Sequence, residues 1–143
     1  GLRAGVATEP ASMDYLAPLP PDPNAPPEGP QPETMDVNTK EMQASAVMEL
    51  RERIDMAVAM PRINAVETPM LIVGRDRDHN FSTFRLNYEM LRDAGKDVEW
   101  KSYDHDHHGF AFIRRNSAGE YAPDEVQQQV VADAIEYLNR YMK

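Results

Sequence analysis

Two apolar runs, each broken abruptly by a polar turn, constrain the fold of this chain most strongly. Residues 69–73 form a continuous apolar run, which is typical of a strand buried on both faces of a parallel sheet. Residues 98–103 read as a second strand, and the stretch 82–95 between them has the apolar spacing of a helix. Gly95 is expected to end that helix in a left-handed conformation. This strand-helix-strand unit predicts parallel strands joined by a right-handed crossover. The chain is therefore expected to belong to the α/β class.

Patterns outside this unit predict three further elements. Residues 2–7 are small and apolar and predict a short buried strand. A helical pattern begins at Asn38, which with Glu41 forms a possible capping box, and Pro61 is expected to end that helix. A last helix is expected to start near Pro123. Its expected buried face consists of Val131, Ala134, Ile135, Leu138 and Met142.

The length of the chain and its prolines set the expected domain organisation. At 143 residues the chain is long enough for one domain, expected to span 1–143, in which 69–143 form the unit that carries the acid and the histidine. Eight of the twelve prolines lie between residues 18 and 32, which predicts an extended loop over 17–34. This loop is interpreted as a surface excursion or, alternatively, as an arm that packs on a partner or rims an active site.

Composition narrows the classes of partner. The chain has 24 acidic and 15 basic side chains and a net charge of −9, whereas binding to nucleic acid or anionic membranes depends on clustered Lys and Arg. Neither kind of partner is expected.

The sequence also excludes several structural features. The lack of cysteine excludes disulfides, thiolate metal sites and cysteine nucleophiles. No apolar run reaches the roughly 18 residues of a membrane-spanning helix. Compartment and oligomeric state stay open.

Polar side chains follow both predicted strands and suggest acid–base chemistry. Catalytic groups of parallel sheets lie at the carboxyl ends of strands, and an acid followed by a histidine has the chain order of the Ser…Asp…His triad on α/β-hydrolase sheets. Asp78 is the expected acid, because it begins the turn into the helix and Asn80 can brace that turn; Asp76 is the fallback. His108 is the expected base, because Gly109 allows a sharp turn behind it.

Three other interpretations of these turns remain open. His105 and His107 are of the right residue type to be the base. The two acids could be solvated loop residues paired with Arg75 and Arg77. The acids and histidines of 104–108 could also bind zinc, with Asp76, Asp78 and His79 as a possible second group of ligands. Alternate residues of an extended segment point to opposite sides, however, so no metal is expected. No cofactor is expected either.

The nucleophile is missing from the pattern. The chain contains no G-x-S-x-G motif, and upstream of Asp78 its only serines are Ser12 and Ser45. Ser12 lacks flanking glycines and Ser45 lies within the predicted first helix, so neither suits a strained strand-to-helix turn. The serine of such a triad is therefore expected on another segment.

Several of these stretches together resemble the C-terminal part of serine hydrolases of the prolyl oligopeptidase type. They are Thr-Pro-Met-Leu-Ile-Val-Gly at 68–74, Asp-His-Asn-Phe at 78–81, a helix ending in Gly at 88–95, the strand at 98–103, and His-Gly-Phe at 108–110. The likeness covers about residues 61–143. Residues 3–10 are also similar to the family's strand after the nucleophile helix.

This resemblance implies the C-terminal half of an α/β-hydrolase catalytic domain, with parallel strands and flanking helices. It implies Asp78 as the triad acid and His108 as the base. The serine would lie some tens of residues before Gly1, on a missing or separate upstream segment that acts as a partner. The implied substrate is a peptide. The same C-terminal pattern occurs in carboxylesterases similar to dienelactone hydrolase, and a non-catalytic interaction module is a further alternative.

Overall fold

The computed structural model describes residues 1–10, 16, 19, 24 and 39–142. These described residues form three strands and four helices. In chain order the elements are β1 (Gly5–Thr8), α1 (Lys40–Glu52), α2 (Met56–Asn64), β2 (Met70–Arg75), α3 (Phe81–Asp93), β3 (Val98–Tyr103) and α4 (Glu125–Tyr141). None of these helices is long and apolar enough to cross a membrane. The predicted proline-rich loop over 17–34 lies outside the described residues, except for Leu19 and Asn24.

The sheet is parallel throughout, with β2 between β1 and β3. Thr8 at the end of β1 pairs with Val73, and Val73 pairs in turn with Lys101 of β3. All three strands therefore end at the same edge of the sheet, where the polar turns begin. The predicted α/β class and the parallel pairing of the two main strands are confirmed.

Helices cover both faces of the sheet because the side chains of β2 alternate between two apolar cores. Ile72 packs into a core with residues of the first three helices, including Ile63 and Leu86. Leu71 and Val73 point the other way, into a core that α4 closes. The second core contains Ala4, Leu71, Val73, Phe110, Val130 and Tyr137. The strand predicted to be buried on both faces is buried in this way.

The predicted helix from Asn38 to Pro61 is wrong in its boundaries, because two helices occupy this stretch. Asn38 lies outside the described residues, and the side chain of Thr39 caps α1 by accepting from the Met42 amide. Asp55 starts α2 by accepting from the first amides of that helix. Pro61 lies inside α2 rather than ending it. Pro61 removes one amide donor from α2, and Ala57, whose carbonyl would accept from that amide, is an exposed residue.

The predicted buried face of the last helix is displaced. Val131, Ile135 and Met142 are exposed, whereas Val130 and Tyr137 are buried against the sheet. Asp124 caps α4, so Pro123 precedes the helix and its cap. Three partly buried apolar residues of α4 pack beside Val130 and Tyr137: Val126, Leu138 and Tyr141. Of the predicted face, Leu138 packs against this core and Ala134 is half-buried, so the prediction holds in part, while the fully buried stripe is offset by about one residue.

Two local predictions have different outcomes. The strand predicted over 2–7 is observed at Gly5–Thr8, and it is half-buried rather than buried. Among the described residues its one hydrogen-bonded neighbour is β2, which leaves β1 at the edge of the sheet. Gly95 has φ +71, and the Lys96 amide donates to the Leu91 carbonyl at 3.0 Å, so the left-handed end of the preceding helix is confirmed.

Gly74 is expected to tolerate no side chain, because it lies in β2 directly against the indole of Trp100. A Cβ atom added at Gly74 would stand 2.5 Å from Cη2 of Trp100. We expect Gly74→Ala to destabilise the protein by about 1–3 kcal/mol, the usual range for overpacking. Urea unfolding would measure this loss. In a Trp100→Leu background the same substitution should cost much less; an equal cost in both backgrounds would contradict the steric explanation.

Candidate active site

The turn after β2 holds the carboxylate of Asp78 in a fully buried position. Oδ1 accepts from the amide of Asn80 at 2.8 Å, which forms an Asx turn just before α3 begins. Oδ2 accepts from Nε of Arg75 at 2.8 Å and lies 2.8 Å from Nδ1 of His108. The sequence predicted that Asn80 would brace this turn with its side chain. The structure shows instead that Asp78 provides the brace and Asn80 supplies the backbone donor.

The surroundings of Asp78 keep it ionised. Burial alone would raise the pKa of Asp78, but hydrogen bonds from Arg75, the Asn80 amide and His108 outweigh burial and hold this pKa below its ordinary value. A carboxyl with a lowered folded-state pKa contributes stability above its ordinary pKa. That contribution is lost as the pH falls through the lowered value. At neutral pH Asp78 is therefore a buried anion that only accepts hydrogen bonds.

The loop after β3 presents His108 to this anion. Gly109 adopts φ +73, a left-handed conformation that favours glycine, and Phe110 behind it is buried. The side chain of Gln127 on α4 donates to the Phe110 carbonyl at 2.8 Å and so ties the loop to that helix. Because ionised Asp78 can only accept, the proton lies on Nδ1 of His108. The His108 side chain is 45% exposed and Nδ1 meets Asp78, so Nε2 is the ring nitrogen left to meet a reacting group.

An open cavity lies beside this imidazole. It has a volume of about 430 Å³ and includes His108, Gly109 and the exposed ring of Phe112 in its lining. Phe110 anchors the loop, whereas Phe112 is 64% exposed and lines the cavity. The cavity therefore borders the half-exposed side chain of His108.

The fallback acid Asp76 points elsewhere. Its Oδ1 accepts a hydrogen bond from the hydroxyl of Ser102 on β3, and its carbonyl accepts from the side chain of Gln43. Of the alternative in which Asp76 and Asp78 are solvated loop acids paired with Arg75 and Arg77, the pairing of Asp78 with Arg75 is confirmed, whereas the solvated position of Asp78 and the pairing of Asp76 are wrong. Arg75 is buried with Asp78, and the paired acids of Arg77 are in the loop after β3.

The other two histidines of the loop have different surroundings. His105 bonds through Nε2 to Asp124, the cap of α4, at 2.9 Å, and its ring stacks on Phe110. Its carbonyl also accepts from Nη1 of Arg75 at 3.0 Å. His107 is exposed, and its amide donates to Nδ1 of His105. His105 therefore supports the loop, and of these three histidines only His108 meets the buried acid.

Sequence reasoning missed Glu9, which follows β1 at the same edge of the sheet. Its side chain is buried, and Oε1 accepts from the Gly109 amide at 3.0 Å and lies 3.8 Å from Nδ1 of His108. Burial raises the pKa of Glu9, as does nearby Asp78, although the Gly109 amide and His108 oppose the rise. The available signal was a charged residue at the carboxyl end of a predicted parallel strand.

Within the described residues, one set of three side chains could converge on a metal ion: Asp78, His79 and His108. This set combines His108 of the loop cluster with Asp78 and His79, which the sequence offered as possible additional ligands. The His79 and His108 rings lie 4.6 Å apart, but Oδ2 of Asp78 already accepts from both Arg75 and His108. The buried guanidinium also places a positive charge beside any cation. These contacts suit an ionised acid and base better than a metal centre.

No serine hydroxyl within the described ranges hydrogen bonds to His108. The hydroxyl of Ser45, on α1, donates to Glu49 one helical turn later, and that of Ser102 donates to Asp76. Ser12 lies outside the described residues. The described part of the chain thus brings together an acid and a base without a nucleophile.

Comparisons with known proteins add no family to this geometry: no family model, curated protein or solved structure matches the chain.

Proposed function

We propose that this chain supplies the acid and the base of a serine hydrolase, with Asp78 as the acid and His108 as the base. The observation that carries the proposal is the 2.8 Å contact between Oδ2 of Asp78 and Nδ1 of His108, with Asp78 buried and the imidazole half-exposed. The two residues follow adjacent parallel strands, where catalytic groups of such sheets are found.

The mechanism follows from the distribution of protons at this pair. Nε2 of His108 would take the proton of a serine hydroxyl as that hydroxyl attacks a carbonyl carbon. The imidazolium formed would be stabilised by ionised Asp78, which keeps Nδ1 protonated and the ring in one orientation. Nε2 would then return the proton to the leaving group, and water would release the acyl group by the same steps in reverse. Asp78 stays ionised throughout.

The proposed fold is the C-terminal half of an α/β-hydrolase domain, and the serine comes from an upstream segment that is missing or separate. The acid after β2, the base after β3 and the motifs similar to the prolyl oligopeptidase type support this proposal. The edge position of β1 supports it as well. Among the described residues its outer side has no strand, so a preceding parallel strand could pair there.

The proposed substrate is a peptide, and a carboxylic ester is the alternative. Both use the same proton transfers, because each passes through an acyl-enzyme formed on serine. The resemblance to the prolyl oligopeptidase type favours a peptide bond, and the resemblance to dienelactone-hydrolase-like esterases favours an ester. Comparing kcat/KM for a proline-containing peptide and a short-chain ester would distinguish them.

A fluorophosphonate probe tests the proposed function directly, because it reacts with serines that an adjacent base has activated. We expect the complete polypeptide that contains this chain to be labelled at one serine outside residues 1–143, with parallel loss of hydrolysis. Mapping the labelled peptide by mass spectrometry identifies that serine. Labelling at Ser45 or Ser102, or no labelling of a folded protein, would contradict the proposal.

A further inference from the structure

Glu9 occupies a costly position that its local sequence does not explain. It has φ +45, and the following residue is Pro10, which disfavours such a conformation in its predecessor. Its side chain is 2% exposed, and Oε2 has no hydrogen-bond partner among the described residues. A strained backbone and a buried acid with an unsatisfied oxygen both oppose folding, and such features cluster at functional sites.

The contacts of this carboxyl all lead to the loop that carries His108. Oε1 accepts from the amide of Gly109, the residue that turns the chain behind the imidazole. The same oxygen lies 3.8 Å from Nδ1 of His108, the ring nitrogen that Asp78 contacts. Each strand of the sheet is thus followed by one residue at the imidazole: Glu9 after β1, Asp78 after β2 and His108 after β3.

We infer that Glu9 is a positioning residue for His108, an inference that rests on the proposed function. Its carboxyl holds the Gly109 amide and thereby sets the distance and orientation of the imidazole relative to Asp78. Asp78 contacts the ring itself, but it cannot hold the backbone of the loop. Glu9 holds this backbone from the end of β1, at the other edge of the sheet from β3, although 100 residues separate it from Gly109 in sequence. Gln127 holds the next residue, Phe110, by its carbonyl, so Glu9 is the contact that holds the amide side of the turn. Without it the turn at Gly109 would be less constrained, since glycine restricts its backbone little.

The test compares two substitutions in the complete polypeptide. Glu9→Gln keeps a side-chain carbonyl oxygen that can accept from Gly109, whereas Glu9→Ala removes it. We expect Glu9→Ala to lower kcat about tenfold, the effect of losing one hydrogen bond, with KM nearly unchanged. Hydrogen–deuterium exchange at the Gly109 amide should accelerate about tenfold by the same reasoning. Glu9→Gln should stay within about threefold of the native protein in both measurements. Glu67→Ala, at an exposed glutamate, is the matched control.

The outcomes separate this inference from the proposed function. Unchanged kcat and unchanged exchange in Glu9→Ala would overturn it, as would a change confined to KM or a Glu9→Gln variant as impaired as Glu9→Ala. If Glu9→Ala does not fold, exchange at the Gly109 amide is compared between the native protein and Glu9→Gln. Fast exchange of this amide in either protein overturns the inference, and protection from exchange in both supports it. If the native protein hydrolyses neither substrate class, the proposed function fails, while the exchange measurements still decide whether Glu9 holds the turn.

Discussion

Replacing His108 by alanine is expected to remove nearly all hydrolysis by the complete protein, with kcat falling by a factor on the order of 10⁶. The reason is that His108 is the one loop histidine whose ring meets the buried anion of Asp78 and keeps its other nitrogen accessible. In the proposed mechanism, this variant has no group that accepts the serine proton or returns it to the leaving group. Steady-state kinetics on a peptide and on an ester would measure this loss, with circular dichroism as the check on folding.

The neighbouring histidines provide matched controls. His107→Ala should stay within about threefold of native kcat, because the ring is exposed and its substitution leaves the backbone bond to His105 in place. His105→Ala should have a smaller effect than His108→Ala and act through stability, since its ring packs on Phe110 and bonds to Asp124. Equal losses from all three substitutions, or inactivation by a chelator, would point instead to a metal centre.

Asp78→Asn is expected to lower kcat by about 10⁴, the effect of the corresponding change in the best-studied triad. An amide can donate as well as accept, so the imidazole is no longer held with its proton on Nδ1. The substitution also takes the carboxylate partner from buried Arg75. Loss of this contact is expected to lower the Tm as well. Kinetics should therefore be measured at a temperature where both proteins are folded.

Asp76→Asn is the control for this prediction. It lies two residues away on the same turn, yet it bonds to Ser102 rather than to His108. An asparagine oxygen can still accept that hydrogen bond, so we expect kcat to remain within about tenfold of the native value. If Asp76→Asn abolishes activity while Asp78→Asn does not, the assignment of the acid is wrong.

Helix and strand types followed from local patterns, but the face that each helix buries did not. In α4 apolar residues occupy two overlapping stripes, one through Val130 and Tyr137 and the other through Val131 and Ile135. Helical spacing is satisfied by both, and only contact with the sheet selects the first. The break before α2 was missed for a similar reason. Pro61 is a strong helix-stop signal in the sequence. Asp55 can be recognised as a cap only if the apolar pattern from Asn38 to Pro61 is first divided into two helices.

The sequence by itself determined the α/β class, the parallel strands β2 and β3, and the proximity of Asp78 and His108. These depend on short-range rules: a continuous apolar run makes a buried strand, and adjacent parallel strands end at one edge. Only the tertiary structure decided that Arg75 is buried with Asp78, that Asp76 turns to Ser102, and that Glu9 reaches Gly109. Such contacts depend on which polar side chains are buried together, and this is set by the packing of elements that are distant in sequence. Glu9 and Gly109, for example, are separated by 100 residues.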